Sequence, residues 1–146
     1  MFTMYRYSSG DSRFLMIDGR NSDVSRFRKK DFLHSLCLIH GFSGAVILDK
    51  ALSADSSADF RMEFYSSDGI EVAPAPCACA CTVAFADFLG VKPFHTRDYS
   101  FETSLGLSPA FILSQNGDCK VVSLSVDSAG VSSSPGIVTW FEGGLS

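Results

Sequence analysis

The sequence predicts an α+β fold in which short strands wrap one central helix, and three observations carry that expectation. First, Cys77 to Leu89 reads Cys-Ala-Cys-Ala-Cys-Thr-Val-Ala-Phe-Ala-Asp-Phe-Leu, apolar on every side of a helix except at Thr82 and Asp87. A helix that is apolar all round must be surrounded by protein or lipid. This one falls well short of the ~20 residues that span a bilayer. Second, strand-like runs bounded by turn residues lie on both sides of it in the chain. Third, 146 residues with 46% hydrophobic and 19% charged side chains describe a globular chain. At ~150 residues per domain, residues 1–146 are expected to form a single domain.

The elements follow in order. Phe2 to Tyr7 and Arg13 to Asp18 read as strands around a turn at Ser8 to Asp11, and Asp18 to Asn21 reads as a loop. Lys29 to His40 reads as an amphipathic helix, because Phe32, Leu33, Leu36, Cys37 and His40 share one face; Gly41 supplies its stop. Ala45 to Leu48 is a short buried strand, and Leu52 to Ala58 a small polar loop. Phe60 to Tyr65 is a strand that turns at Asp68-Gly69 into Ile70 to Val72. Pro74 and Pro76 end that strand. A proline is tolerated in a first helical turn, so the Cys77 to Leu89 helix follows and Gly90 closes it. Ser100 to Leu105, Pro109 to Ser114 and Lys120 to Val126 read as strands, the last two joined by an Asn116-Gly117 hairpin. Val131 to Gly136 reads as a Ser-rich turn and Ile137 to Phe141 as a final strand.

Sixteen acidic against twelve basic residues leave a net charge of −4. That balance argues against direct nucleic-acid contact, since such binders show a basic face. The densest basic run, Arg26, Arg28, Lys29 and Lys30, reads as a solvated turn and helix start. No apolar run reaches membrane length and the N-terminus carries no secretory signal pattern. An intracellular, by default cytoplasmic, location is expected; import into an organelle after presequence cleavage stays open. Cys37, Cys77, Cys79, Cys81 and Cys119 are odd in number, and Cys77-Ala-Cys79-Ala-Cys81 lacks the C-x(2–4)-C pairs of a structural zinc site. They are expected to be small core fillers, with no metal. No Gly-rich phosphate-binding loop and no local Ser/His/Asp hydrolase signature is present.

These residues, taken in order, resemble the diaminopimelate epimerase family. Its hallmark A-D-F-R-M-R-I-F-N-A-D-G-S-E is similar to Ala58-Asp-Phe-Arg-Met-Glu-Phe-Tyr-Ser-Ser-Asp-Gly-Ile-Glu71. The stretch that ends M-C-G-N-G-A-R-C in the family is occupied by Val72-Ala-Pro-Ala-Pro-Cys-Ala-Cys-Ala-Cys81. Arg6 through Phe14-Leu-Met-Ile-Asp18 is similar to the family's opening. Leu36-Cys37 through His40 and Gly44 to Leu48 are similar to its L-C-x-R-H…G-x-G-A-D-G-L-I-L. Phe101-Glu-Thr-Ser-Leu-Gly106 resembles its E-T-x-x-G strand, and Val138-Thr-Trp-Phe-Glu-Gly-Gly-Leu145 its returning C-terminal strand. The resemblance implies a curled, mixed and mostly antiparallel sheet around a central helix. It also implies the first of the family's two domains plus the returning last strand, with the second domain absent and the remaining fold complete.

The family works without a cofactor, using two thiols on opposite sides of the substrate α-carbon. Proton removal beside a carboxylate needs such positioned groups and donors for the developing negative charge. Here Ala75 stands at the first thiol position, and Pro76-Cys77-Ala78 replaces Gly-Asn-Gly. Pro76 has no N–H to give. Ser12 stands at the family's substrate-binding Asn, and Ser8-Ser9 at its His-Gly. Cys77, at the helix start, is the candidate for a rescued site; the plain reading is a buried, inert thiol. Glu71 and Asp68 are the nearby acids. His34, His40 and His95 are candidate bases, with His40 read as structural and His95 as a loop residue.

Two functions are therefore expected to compete. The leading expectation is a degenerate, non-catalytic domain that binds protein partners within an assembly or as a homodimer. Its partner patch is the former cleft surface at Pro74, Ala75, Pro76 and Cys77. The alternative is a cofactor-independent amino-acid epimerase or isomerase with its site rebuilt at a homodimer interface. Phenazine-biosynthesis isomerases of the same broad group use carboxylates, so Ala75 alone does not exclude that chemistry. A small-ligand binding module is a third, weaker idea.

Overall fold

The computed structural model describes residues 2–51, 58–91, 98–104, 106–116, 119–124, 128–132, 137–141 and 144–145. Ten strands form one sheet: β1 (Phe2–Ser9), β2 (Ser12–Asp18), β3 (Gly44–Asp49), β4 (Phe60–Ser66), β5 (Asp98–Thr103), β6 (Gly106–Asn116), β7 (Cys119–Leu124), β8 (Ser128–Ser132), β9 (Ile137–Phe141) and β10 (Gly144–Leu145). Among the described residues two helices accompany them, α1 (Lys30–His40) and α2 (Pro76–Phe88), with a 3-10 turn at Ser25–Arg28. The strand order is β10-β9-β1-β2-β3-β4-β5-β6-β7-β8, and β8 pairs back onto β1 at Ser8 and Ser132, so the sheet curls onto itself. Pairs β2–β3 and β4–β5 are parallel and the others antiparallel.

The apolar helix lies where its composition demands. α2 packs against β1, β2, β3, β4, β6, β7 and β8. Its residues Ala80 to Ala86 are all buried. Around it, inward-facing Tyr7, Phe14, Met16, Val46, Leu48, Phe60, Met62, Phe64 and Phe101 form the inner core. Phe85 meets the rings of Tyr5 and Tyr7 at 5.2 and 5.6 Å. On the other face of the sheet, α1 and the 3-10 turn cover Leu15, Ile17, Ala45 and Ile47 with Phe27, Leu33, Leu36 and Cys37. β2 and β3 are thus buried on both faces. That is why Phe14 to Ile17 and Ala45 to Leu48 read as unbroken apolar runs rather than alternating ones.

Several boundaries differ from the sequence reading. Ile70 to Val72 forms one bridge, Tyr65 to Glu71, rather than a strand. The Ser66 N–H donates to the Ile70 carbonyl and the Val72 N–H to the Phe64 carbonyl. The pairing then stops because Pro74 and Pro76 carry no donor. Val131 and Ser132 belong to β8, not to a turn; the remainder of that expected turn, 133–136, lies outside the described residues, as do 52–57, Gly117 and His95. β6 and β7 do pair across that hairpin, with Asn116 opposite Cys119. The basic run is solvated as expected, with Arg28, Lys29 and Lys30 exposed, and Arg28 is also tied down. Arg28 Nε donates to Glu63 Oε2 at 2.9 Å and a terminal nitrogen reaches Asp49 at 3.5 Å, pinning the 3-10 turn to β4 and β3. Gly69, at φ 83°, sits so close to the first turn of α1 that a Cβ would overlap the Lys30 carbonyl.

Candidate functional site

The strand registers define two ends of α2. Tyr5 touches Phe88, the last helical residue, while Tyr7 reaches Phe85, so β1 runs toward the start of the helix. Tyr7 pairs with Phe14, Phe14 with Gly44, and Gly44 with Ser66. The row at the helix start therefore carries the β1–β2 turn, the first residue of β3 and the last of β4. Side chains alternate along a strand. Counting outward from inward-facing Tyr7, Phe14 and Phe64, the next inward positions are Ser9, Ser12 and Ser66. All three are half-buried. The sequence reading placed Ser12 and the Ser8-Ser9 pair here only as replacements, and it missed Ser66. Strand alternation from Phe64 would have found it.

At this end of the sheet, its mouth, α2 begins without a side-chain cap. Ala75 is the N-cap, with the extended φ −73° and ψ 150° of that position, and Pro76 is the first helical residue. The first backbone bond of the helix runs from the Cys79 N–H to the Ala75 carbonyl at 3.0 Å. Of the leading N–H groups that a helix cannot satisfy internally, Pro76 lacks one, which leaves those of Cys77 and Ala78. Together with the positive end of the helix dipole they favour an anion. Cys77 and Cys79 are half-buried and Cys81 is buried. Burial pushes the Cys79 thiol up to about 11 and the Cys81 thiol higher still, so both stay protonated at neutral pH.

The structure does not bring every expected residue to this mouth. Paired residues of an antiparallel bridge share a face, and Glu71 is bridged to Tyr65, which belongs to the outer core under α1. Burial and the carboxylates of Glu63 and Glu71 push the Tyr65 hydroxyl upward, and Tyr65 donates to Glu63 at 3.1 Å. Glu71 thus lies on the face away from the inner core. Asp68 lies with His34, whose Nδ1 is 3.8 Å from its carboxylate, against α1. His40 is half-buried with its ring 5.8 Å from Phe42. Pro74, Ala75 and Cys77 are half-buried and Pro76 exposed, beside exposed Ile70 and Val72. Among the described residues no group of three His, Cys, Asp or Glu side chains is placed to hold a metal, and no helix is long and apolar enough to cross a membrane.

The opposite end of α2 is closed. The Tyr99 hydroxyl lies 2.8 Å from the Val91 carbonyl and 3.1 Å from Asp87 Oδ1. Burial, then the Asp87 carboxylate, pushes that hydroxyl above its ordinary range. The N–H groups of Leu89, Gly90 and Val91 return to the carbonyls of Phe85, Asp87 and Ala86 at 2.9, 3.1 and 3.0 Å.

No family model and no curated protein matches the chain. Solved structures do. A phenazine biosynthesis protein of the PhzF family from Bacillus anthracis superposes with a TM-score of 0.60 at 13% identity, over 84% of this chain and 40% of that one. A methylitaconate-delta-isomerase gives 0.58 at 15% identity, over 82% of this chain and 62% of that one. A hydroxyproline epimerase from Agrobacterium vitis, holding trans-4-hydroxy-L-proline, gives 0.56 at 17% identity, over 83% and 40%. The chain spans between two fifths and about three fifths of the length of these structures. At such identities the likeness is one of fold. The fold implied by the sequence resemblance is present, and these structures do not single out the diaminopimelate epimerase family.

Proposed function

We propose that this chain is one lobe of a cofactor-independent isomerase that holds a small carboxylic acid at the mouth of the sheet. The observation that carries this reading is the uncapped start of α2, at the end of the helix toward which β1 runs with Ser9 beyond Tyr7. The folds of an isomerase and an epimerase support it. The Cys77 and Ala78 N–H groups would hold a carboxylate and stabilise the charge that develops when the neighbouring C–H is ionised. Cys77 is the candidate base: its thiolate would take the α-proton, and an acid on the opposite side would return one to the carbon. Glu71 and Asp68 lie away from the inner core, so on this reading a second copy facing the mouth supplies that group. The test is proton exchange at the α-carbon in deuterium oxide across proline, trans-4-hydroxyproline and diaminopimelate. Exchange that disappears in Cys77→Ser is the expected result. No exchange with any of them would overturn the catalytic reading.

A second reading is favoured by one feature, Ala75 followed by Pro76 at the helix start. No acid or base occupies the first position and one donor is missing. On this reading the mouth binds a carboxylate, or the patch from Ile70 to Cys77 binds a protein, without chemistry. Saturable carboxylate binding with no exchange is its signature for the former, and a stable complex blocked by Val72→Asp for the latter.

A further inference from the structure

The outer face of the sheet, away from α2, brings two arginines together. Tyr5 and Tyr7 face the inner core, so by alternation along β1 Arg6 and Ser8 face outward. Arg6 pairs with Leu15 and Ser8 with Arg13, and Leu15 belongs to the core under α1. Paired residues share a face and diagonal neighbours lie ~7–8 Å apart, which makes Arg6 and Arg13 diagonal neighbours on that face. Arg13 also reaches the end of α1, where a terminal nitrogen donates to the Gly41 carbonyl at 3.5 Å.

Two cations so placed repel each other, and among the described residues no carboxylate answers either. By contrast, Arg20 meets Asp18 at 2.9 Å, and Arg28 and Arg61 meet Glu63 at 2.9 and 3.9 Å. Buried polar atoms point to the same corner. Arg6 Nε and His40 Nε2 are buried without a hydrogen-bond partner, and His40 immediately precedes Gly41. The Arg6 Nε–H is a donor, and a buried donor left unpaired is costly. The negative end of α1 does not exclude an anion here, because Arg13 and the Gly41 and Phe42 N–H groups already answer its carbonyls. We propose that Arg6 and Arg13 together bind a phosphate group, their two charges matching its dianion and Arg6 turning its Nε edge onto a phosphate oxygen. The site lies across the sheet from the core around α2 and is independent of the function proposed above.

Nitrogen–proton spectra of the full chain, which report arginine Nε–H groups as well as backbone amides, test this. The titrants are inorganic phosphate, phenyl phosphate, acetate and chloride at constant ionic strength. Saturable shifts of the Arg6 Nε–H and of the Ser8, Arg13 and Gly41 amides are expected with both phosphates. Arg13→Gln alters an exposed side chain, so folding is retained, and it is expected to weaken phosphate by about threefold to fivefold. Arg6→Lys keeps the charge but loses the fork, and a similar loss is expected. Tighter binding of phenyl phosphate supports the proposal with a phosphate monoester as ligand, and equal binding supports it with free phosphate. Equal shifts with acetate or chloride, unchanged affinity in Arg13→Gln, or no saturable shift of the Arg6 Nε–H would overturn it.

Discussion

The two ends of α2 are built on opposite rules. At its C-terminal end, polar groups answer one another: Tyr99 spans Val91 and Asp87, and three successive N–H groups fold back onto the helix. At its N-terminal end Ala75 offers no side-chain cap and Pro76 no donor, and the N–H groups of Cys77 and Ala78 have no partner within the helix. A cap there would be worth roughly 0.5–2 kcal/mol, so its absence forgoes stability that a single Ser or Asp would supply. The difference teaches where this fold spends its order. One end anchors the helix in the sheet, and the other, on the function proposed, is where a carboxylate is received.

Graded substitutions break or sharpen that contrast. Phe85→Ala, which empties the packing against Tyr5 and Tyr7 between the two ends, is expected to lose ~3–5 kcal/mol in urea melts. Tyr99→Phe, at the closed end, is expected to lose ~1–2 kcal/mol, because the Val91 carbonyl is left without its donor. Ala75→Asp, at the open end, should instead gain ~1 kcal/mol by capping the helix. It should also abolish carboxylate binding, because its own oxygen occupies the site. pH sharpens the comparison further. Burial raises the folded-state Cys79 and Cys37 thiols from 9.0 to about 11. The folded state therefore holds these protons more tightly than the unfolded chain. Their contribution is fully present below pH 9.0 and is lost as the pH rises toward about 11. Alkaline melts of Cys79→Ala should show a shallower decline than the parent. Cys77→Ala is expected to change stability by no more than ~0.5 kcal/mol. Under native conditions iodoacetamide should label Cys77 ahead of buried Cys37 and Cys81.

The core was legible in the sequence because burial leaves a period. Cys77 to Leu89 had no polar face, so it had to be central, and β2 and β3 announced two-sided burial by their unbroken apolar runs. The mouth was legible only in part. Ala75, Pro76 and Cys77 were found from a motif position. Ser66 follows from alternation along β4, but the outward turn of Glu71 depends on its pairing with Tyr65, a register that no local pattern encodes. β8 was missed because Ser128-Ala-Gly-Val-Ser132 carries turn residues and owes its strand form to pairing with β7.

The central claim is that the open end of α2 receives a carboxylate and the closed end does not. Amide resonances of the full chain, titrated with trans-4-hydroxyproline, test it most directly. The account predicts saturable shifts at Cys77 and Ala78 that vanish in Ala75→Asp, with Gly90 and Val91 unmoved. Shifts of equal size at both ends, or none at Cys77 and Ala78, would contradict it.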